Sequence, residues 1–416
     1  MNIPIVVAAF NRPIALQRVL KSLESIQYNT PVKLYISIDG QGPDEVYNIA
    51  ENFNWKAGDK EIIHHQENLG LRKHIISCGD LALQHEGIII LEDDLFVSPE
   101  FYNYITQIHS TYKNENKLAG YSLYSHKFNE TAQFAFYPLE DGNDIFFLQV
   151  ASSWGQCFTN KQWSMFKTWY EKNLHISLTT KTNIPPNVAG WPETSWKKYF
   201  ITFMIENDLT FIYPRRSYST NFGDAGVNHK GYGRFQVPIQ YFRSTLKLPS
   251  YNDSLAKYDS YCEILPECLN SFNKNLRKFD YEVDLYGCKI MEATKSKYIL
   301  TTRPCEIPVL SYGKAMVPHE ANIISQIPGN DICLAKTKSI DHKELKFTVE
   351  RMVYFHRLPE WHLTKQPITK NNNTSFNPDQ EYLLKIYSSK IGKFLFKPVF
   401  LIYNILYHFR KILARI

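Results

Sequence analysis

Residues 87–104 read Gly-Ile-Ile-Ile-Leu-Glu-Asp-Asp-Leu-Phe-Val-Ser-Pro-Glu-Phe-Tyr-Asn-Tyr. The apolar run Ile88–Leu91 reads as a strand buried on both faces. It ends in three acids, Glu92, Asp93 and Asp94, which repel one another and are costly to desolvate. A hard divalent cation prefers oxygen ligands and would relieve both penalties. In an open α/β sheet, ligands bind beyond the carboxyl ends of the strands. A metal held there by few protein ligands usually shares a diphosphate. The plainer reading is a solvated acidic turn before a helix that starts near Ser98-Pro99-Glu100. The triplet alone leaves both readings open.

Outward from this stretch, strand and helix signals alternate. Residues 3–9 read as a strand. Residues 13–26 read as an amphipathic helix with Ile14, Leu16, Val19, Leu20 and Leu23 on its apolar side. Strands follow at 32–38 and 61–65, and helices at 43–54 and 71–84. This alternation predicts a mostly parallel, doubly wound α/β sheet. Beyond residue 104 the pattern is mixed, with strands at 118–123, 145–150 and 209–213 and helices at 161–170 and 194–207. A turn-rich tract covers 221–231. Short β-like runs at 298–302 and 332–335 belong to no recognisable module.

The chain has 416 residues, 44% hydrophobic and 21% charged, which suits a globular protein of two or three domains. A net charge of +6 is too small to imply nucleic-acid binding along the whole chain. The seven cysteines form no C-x-x-C pair, so zinc and a disulfide framework are not expected, and a reducing compartment fits best. Residues 3–9 lack a basic leader and read as a core strand rather than a secretory signal. No run of ~20 apolar residues spans a bilayer.

Three further strand ends carry suggestive residues. Ala9-Phe10-Asn11-Arg12-Pro13 follows the first strand, Asp39-Gly40 the second, and Asn68-Leu69-Gly70-Leu71-Arg72-Lys73 the third. A parallel sheet brings these ends to the same edge as the acidic triplet. There Arg12 suits diphosphate oxygens, Asp39 can accept from a base N–H or a ribose hydroxyl, and Arg72 and Lys73 add cations. Singly, Arg12 could be a surface residue, Asp39 a turn former, and Arg72-Lys73 a solvated helix face. Four suitable tracts in order favour the binding reading.

The order A-x-N-R-P, S-x-D-G, N-x-G-L-x-K/R, E-D-D-L-x-x-x-P-x-F resembles glycosyltransferases of the GT-A fold. It is most similar to the N-acetylglucosaminyltransferase I type and its bacterial relatives in surface-polysaccharide synthesis. The likeness continues through Ser153-Trp154-Gly155, Trp191-Pro192-Glu193-Thr194-Ser195-Trp196 and Gly226-Val227-Asn228-His229, covering roughly residues 1–235. It implies a Rossmann-like GT-A catalytic domain at 1–245. An accessory α+β region of unknown role would follow at 246–380, and a terminal basic segment at 381–416. By resemblance, Arg12 contacts the donor diphosphate and Asp39 the base, with Asn68, Arg72 and Lys73 nearby. Asp94 is the metal ligand (Mn2+ or Mg2+), with Asp93 and Glu92 towards the ribose. Trp154 and Gly155 lie on the acceptor side. Glu193 stands where the family keeps a catalytic aspartate; the Glu and the preceding Pro192 depart from the family pattern. The plainer reading of Glu193 is an acid favoured by a helix dipole. His229 is a candidate donor contact.

The implied reaction is metal-dependent inverting transfer from a nucleotide-sugar, UDP favoured, to a hydroxyl of a glycan. After Glu381 the chain has no acid, and aromatic residues lie within a basic frame at 397–410. That segment reads as an amphipathic interfacial helix on an anionic leaflet or as a helix docked on the core. The first reading suits a lipid-linked acceptor and a cytoplasmic enzyme peripheral to the inner face of the cell membrane. Two rivals remain, a sugar nucleotidyltransferase and a non-catalytic glycan-binding scaffold. The first usually has a glycine-rich loop after strand one, which residues 8–13 lack.

Overall fold

The computed structural model describes residues 3–340 apart from 176–177, 179–183, 223 and 225–234. The chain divides after Leu358, and every described residue falls in the first unit. Its first half contains β1 (Ile5–Ala9), α1 (Pro13–Glu24), β2 (Leu34–Ile38), α2 (Asp44–Asn52), β3 (Lys60–His64), α3 (Gly70–Asp80) and β4 (Gly87–Glu92). Next come β5 (Leu95–Val97), α4 (Phe101–Tyr112), β6 (Leu118–Ser122), β7 (Phe128–Asn129), β8 (Phe134–Ala135), β9 (Ile145–Leu148) and β10 (Gln156–Thr159). They are followed by α5 (Asn160–Asn173), α6 (Pro186–Ala189), α7 (Trp196–Glu206), β11 (Thr210–Pro214), β12 (Ser219–Asn221) and β13 (Lys257–Tyr258).

Nine strands form the central sheet in the order β13-β9-β11-β6-β10-β4-β1-β2-β3. The β4-β1-β2-β3 part is wholly parallel, as the alternating pattern predicts. Its apolar runs arise because both faces are covered. Val6, Ala8, Ile88 and Ile90 join one core, while Ile5, Val7, Ile89 and Leu91 join the other. The remaining part is mixed, because β10 inserts antiparallel between β4 and β6, and β9 runs antiparallel to β11. On α1, Leu16, Val19, Leu20 and Leu23 are buried, but Ile14 is 76% exposed. Ile14 is half a turn from Leu16, so both cannot share the face at 3.6 residues per turn. The helix expected over 71–84 ends at Asp80 and passes into a 3₁₀ turn, Leu81–Gln84.

Across the boundary expected between 245 and 246 the packing is continuous. β13 pairs with β9 in the central sheet. Beyond it lie α8 (Pro266–Phe272), β14 (Tyr281–Asp284), β15 (Tyr298–Thr301), β16 (Leu310–Tyr312), α9 (His319–Ile324) and β17 (Ile332–Lys336). Four of these strands form a second sheet, β14-β15-β17-β16. Leu285, Leu300 and Leu334 share one apolar core with Val6 and Ile90. No helix among the described residues is long and apolar enough to cross a membrane. The basic segment 381–416 lies outside the described residues.

Candidate active site

The carboxyl ends of β1, β2 and β4 and the start of α3 meet at one edge of the sheet. Arg12 leaves β1 as the residue capping α1, whose first position is Pro13. Its Nη1 donates to Asp94 Oδ2 at 2.8 Å, and its Nη2 to Asp93 Oδ1. Burial disfavours the guanidinium charge, but the two aspartates outweigh it and raise the pKa. One cation thus offsets part of the repulsion in the triplet. Burial and the charge of Asp94 still push the Glu92 carboxyl well above the usual range. Asp93 is raised to about 6, by burial first, against the pull of Arg12.

Asp94 Oδ1 is buried and has no hydrogen-bond partner. An orphaned carboxylate oxygen in an acidic pocket is a natural ligand for a hard cation. Among the described residues no group of three or more His, Cys, Asp or Glu forms a ready cage. The donor set therefore fits a cation held by one or two carboxylates and completed by phosphate oxygens and water.

Asp39 is buried at the end of β2, and its carboxylate accepts three backbone N–H bonds. Leu69 (2.7 Å) and Gly40 (3.0 Å) donate to Oδ1, and Gly70 (3.0 Å) to Oδ2. It clamps the loop that opens α3, and free acceptor positions remain for a base or ribose. Asn68 Oδ1 also accepts from Gly70 N, at 2.9 Å. Gly40 must be glycine, since a Cβ there would lie 2.4 Å from the Glu67 carbonyl. Lys73 is exposed on α3. Arg72 turns inward instead: its guanidinium sits 4.8 Å over the Tyr199 ring, and its Nη1 is buried without a hydrogen-bond partner.

That contact links α3 to the segment carrying Glu193. Arg72 Nη1 is 4.0 Å from Glu193 Oε2. Lys198 Nζ donates to Glu193 Oε1 at 2.7 Å, and Tyr199 Oη donates to Oε2. These bonds hold the Glu193 carboxyl below the usual range. Glu193 precedes α7, which begins at Trp196, so it is not a first-turn acid of that helix. Lys197 sits 5.8 Å over the Trp154 ring and within electrostatic reach of Glu92. Trp154 also stacks on Phe235 and meets Tyr124 edge-on. Gly155 has φ +89°, and a Cβ there would meet Leu123 at 2.9 Å. Only glycine suits that turn into β10.

Strand β12 pairs with β5 and returns the chain over the triplet, where Phe222 N donates to Asp94 O at 3.2 Å. Arg18 pairs with Asp224 and lies 3.8 Å over the Phe222 ring. His229, further along this tract, lies outside the described residues. No sequence motif marks Arg18, Lys197, Lys198 or Tyr199. A hint was present: lysines in the first turn of a helix oppose its dipole and point to an anionic partner.

The fold is α/β with a mixed, mostly parallel central sheet of the GT-A kind, and the protein is an enzyme. Residues 5–149 match the family model described as Glycosyl transferase family 2, a domain of the GT-A fold. No curated protein matches the chain. Among solved structures it is similar to S. aureus TarS, at 11% identity and a TM-score of 0.34, covering 53% of this chain and 36% of that one. It is also similar to a mannosyltransferase, PcManGT from Pyrobaculum calidifontis in complex with GDP-Man and Mn2+. Identity there is 10% and the TM-score 0.32, with 51% of this chain and 55% of that one covered. The chain thus spans between 36% and 55% of the length of these two structures.

Proposed function

We propose that the protein is an inverting, divalent-metal-dependent glycosyltransferase acting on a hydroxyl of a glycan acceptor. The carrying observation is the unpartnered Asp94 Oδ1 beside Arg12 at the strand edge. Asp94 would hold Mn2+ or Mg2+, with Asp93 and Glu92 beside it; when bound, the metal supplies charge stabilisation for the departing nucleoside diphosphate. Arg12 orients the two aspartates and adds positive charge where the diphosphate lies. The buried Nη1 of Arg72 is a second donor for phosphate oxygens. Asp39 and Asn68 shape the loop against which the base and ribose rest, with Lys73 and His229 as outer donor contacts. Trp154 offers an aromatic face for the acceptor sugar, set by the Gly155 turn.

Glu193 is the base. It accepts the proton of the acceptor hydroxyl as that oxygen attacks the anomeric carbon from the face opposite the leaving group. One carboxylate suffices, because inversion needs no covalent intermediate. A UDP-sugar is the favoured donor by family likeness. The acid-free, aromatic-bearing stretch after Glu381 supports a lipid-linked acceptor on an anionic, cytoplasmic membrane surface, as in bacterial polysaccharide assembly. Release of nucleoside diphosphate from a panel of sugar nucleotides tests the assignment. Glu193→Gln should retain donor binding and lose turnover by about 10²–10⁴-fold. A variant with near-normal rate would place the base elsewhere.

A further inference from the structure

Glu193 is gripped beside Arg72 of α3. Lys198 is fully buried, yet its ammonium reaches two oxygens, Trp191 O at 3.0 Å and Glu193 Oε1 at 2.7 Å. A buried ammonium in the first turn of α7 is opposed both by desolvation and by the helix dipole. It is tolerated because the carboxylate and the carbonyl compensate it. Tyr199 Oη takes the other carboxylate oxygen. The Tyr199 ring is itself held, under the Arg72 guanidinium and edge-on to Tyr170 at 5.4 Å. Each of these two donors takes one carboxylate oxygen, and the Glu193 side chain is 53% exposed. Lone pairs on both oxygens therefore stay open to an incoming hydroxyl.

We propose that Lys198 and Tyr199 are positioning residues that fix the Glu193 carboxylate in one orientation and keep it ionised for the acceptor hydroxyl. The proposal rests on the reading of Glu193 as the base. The same two bonds are the chief causes of its lowered pKa. A lowered pKa weakens a base, so the gain from the clamp is alignment and full ionisation into mildly acidic pH. Both residues act through Glu193.

The test uses the full chain carrying ¹³C-carboxyl glutamate, with Tyr199→Phe, Lys198→Met and Glu193→Gln. Tyr199→Phe removes one hydroxyl and leaves the ring in place, so it probes the clamp even if Lys198→Met fails to fold. The Glu193 resonance is identified by its loss in Glu193→Gln. It should titrate below the ordinary glutamate range in the wild type and move upward in Tyr199→Phe. In the same variant kcat for nucleoside diphosphate release should fall about tenfold at unchanged donor KM. An unmoved titration, or a change in donor KM with kcat intact, would overturn the clamp. Retained turnover in Glu193→Gln would remove the base reading instead, and the titration would still report whether the clamp exists.

Discussion

At the scale of single residues, each acid at the sheet edge has a different task set by its surroundings. Asp39 serves as a structural anchor, with three backbone N–H groups converging on it. Asp39→Ala leaves Gly40 N and Leu69 N without that acceptor, while Gly70 N keeps Asn68. A loss of about 2–4 kcal/mol should appear in urea unfolding. A loss under about 0.5 kcal/mol, the range of ordinary surface substitutions, would mean the clamp does not hold the loop. The place of Arg12, Asp39 and the triplet at strand ends was legible in the sequence because each follows a short, mostly apolar run. Lys198 and Tyr199 were not, because on a helix a lysine followed by an aromatic reads as an ordinary boundary between solvent and core.

At the scale of elements, the parallel strands β1, β2 and β4 were readable because burial on both faces writes a mostly apolar run. Strand β10, Gln-Cys-Phe-Thr, carries no such run, and its antiparallel insertion between β4 and β6 depends on long-range pairing. Helix α9 shows a different cost of burial. Its first-turn Glu320 is buried against β13, accepting from Tyr258 Oη at 2.8 Å. Burial raises its carboxyl to about 7 from an ordinary 4.5. The native state then keeps a proton that the unfolded chain loses, so this group's contribution to stability falls as pH rises from 4.5 to about 7 and is level above. Glu320→Gln keeps the acceptor without the charge. It should gain on the wild type across that window, reaching up to about 3 kcal/mol near pH 8. A difference independent of pH, followed by thermal unfolding in a buffer series, would contradict this.

At the scale of the whole molecule, the acid edge and the later sheet depend on one core. Tyr258 packs on Phe136 at 5.0 Å, and its hydroxyl accepts from Leu139 N at 2.7 Å. The fading sequence pattern after 245 marked a change of architecture rather than a break in packing. A chain ending at residue 245 would expose this apolar surface. It should lack a cooperative thermal transition, whereas the full chain should show one; a cooperative transition in the short chain would show that the core closes without the later residues.

Asp94 and its neighbours are proposed to form a metal-assisted diphosphate site. The site is tested most directly by thermal unfolding with UDP-, GDP-, CDP- and dTDP-sugars, each with and without manganese, on the wild type and on Asp94→Asn. One nucleotide class should stabilise the protein, and only with the metal present. That shift should vanish in Asp94→Asn, while the ligand-free protein still unfolds cooperatively, since the amide oxygen can still accept from Arg12. Stabilisation that ignores the metal, or that survives in Asp94→Asn, would contradict the proposed site.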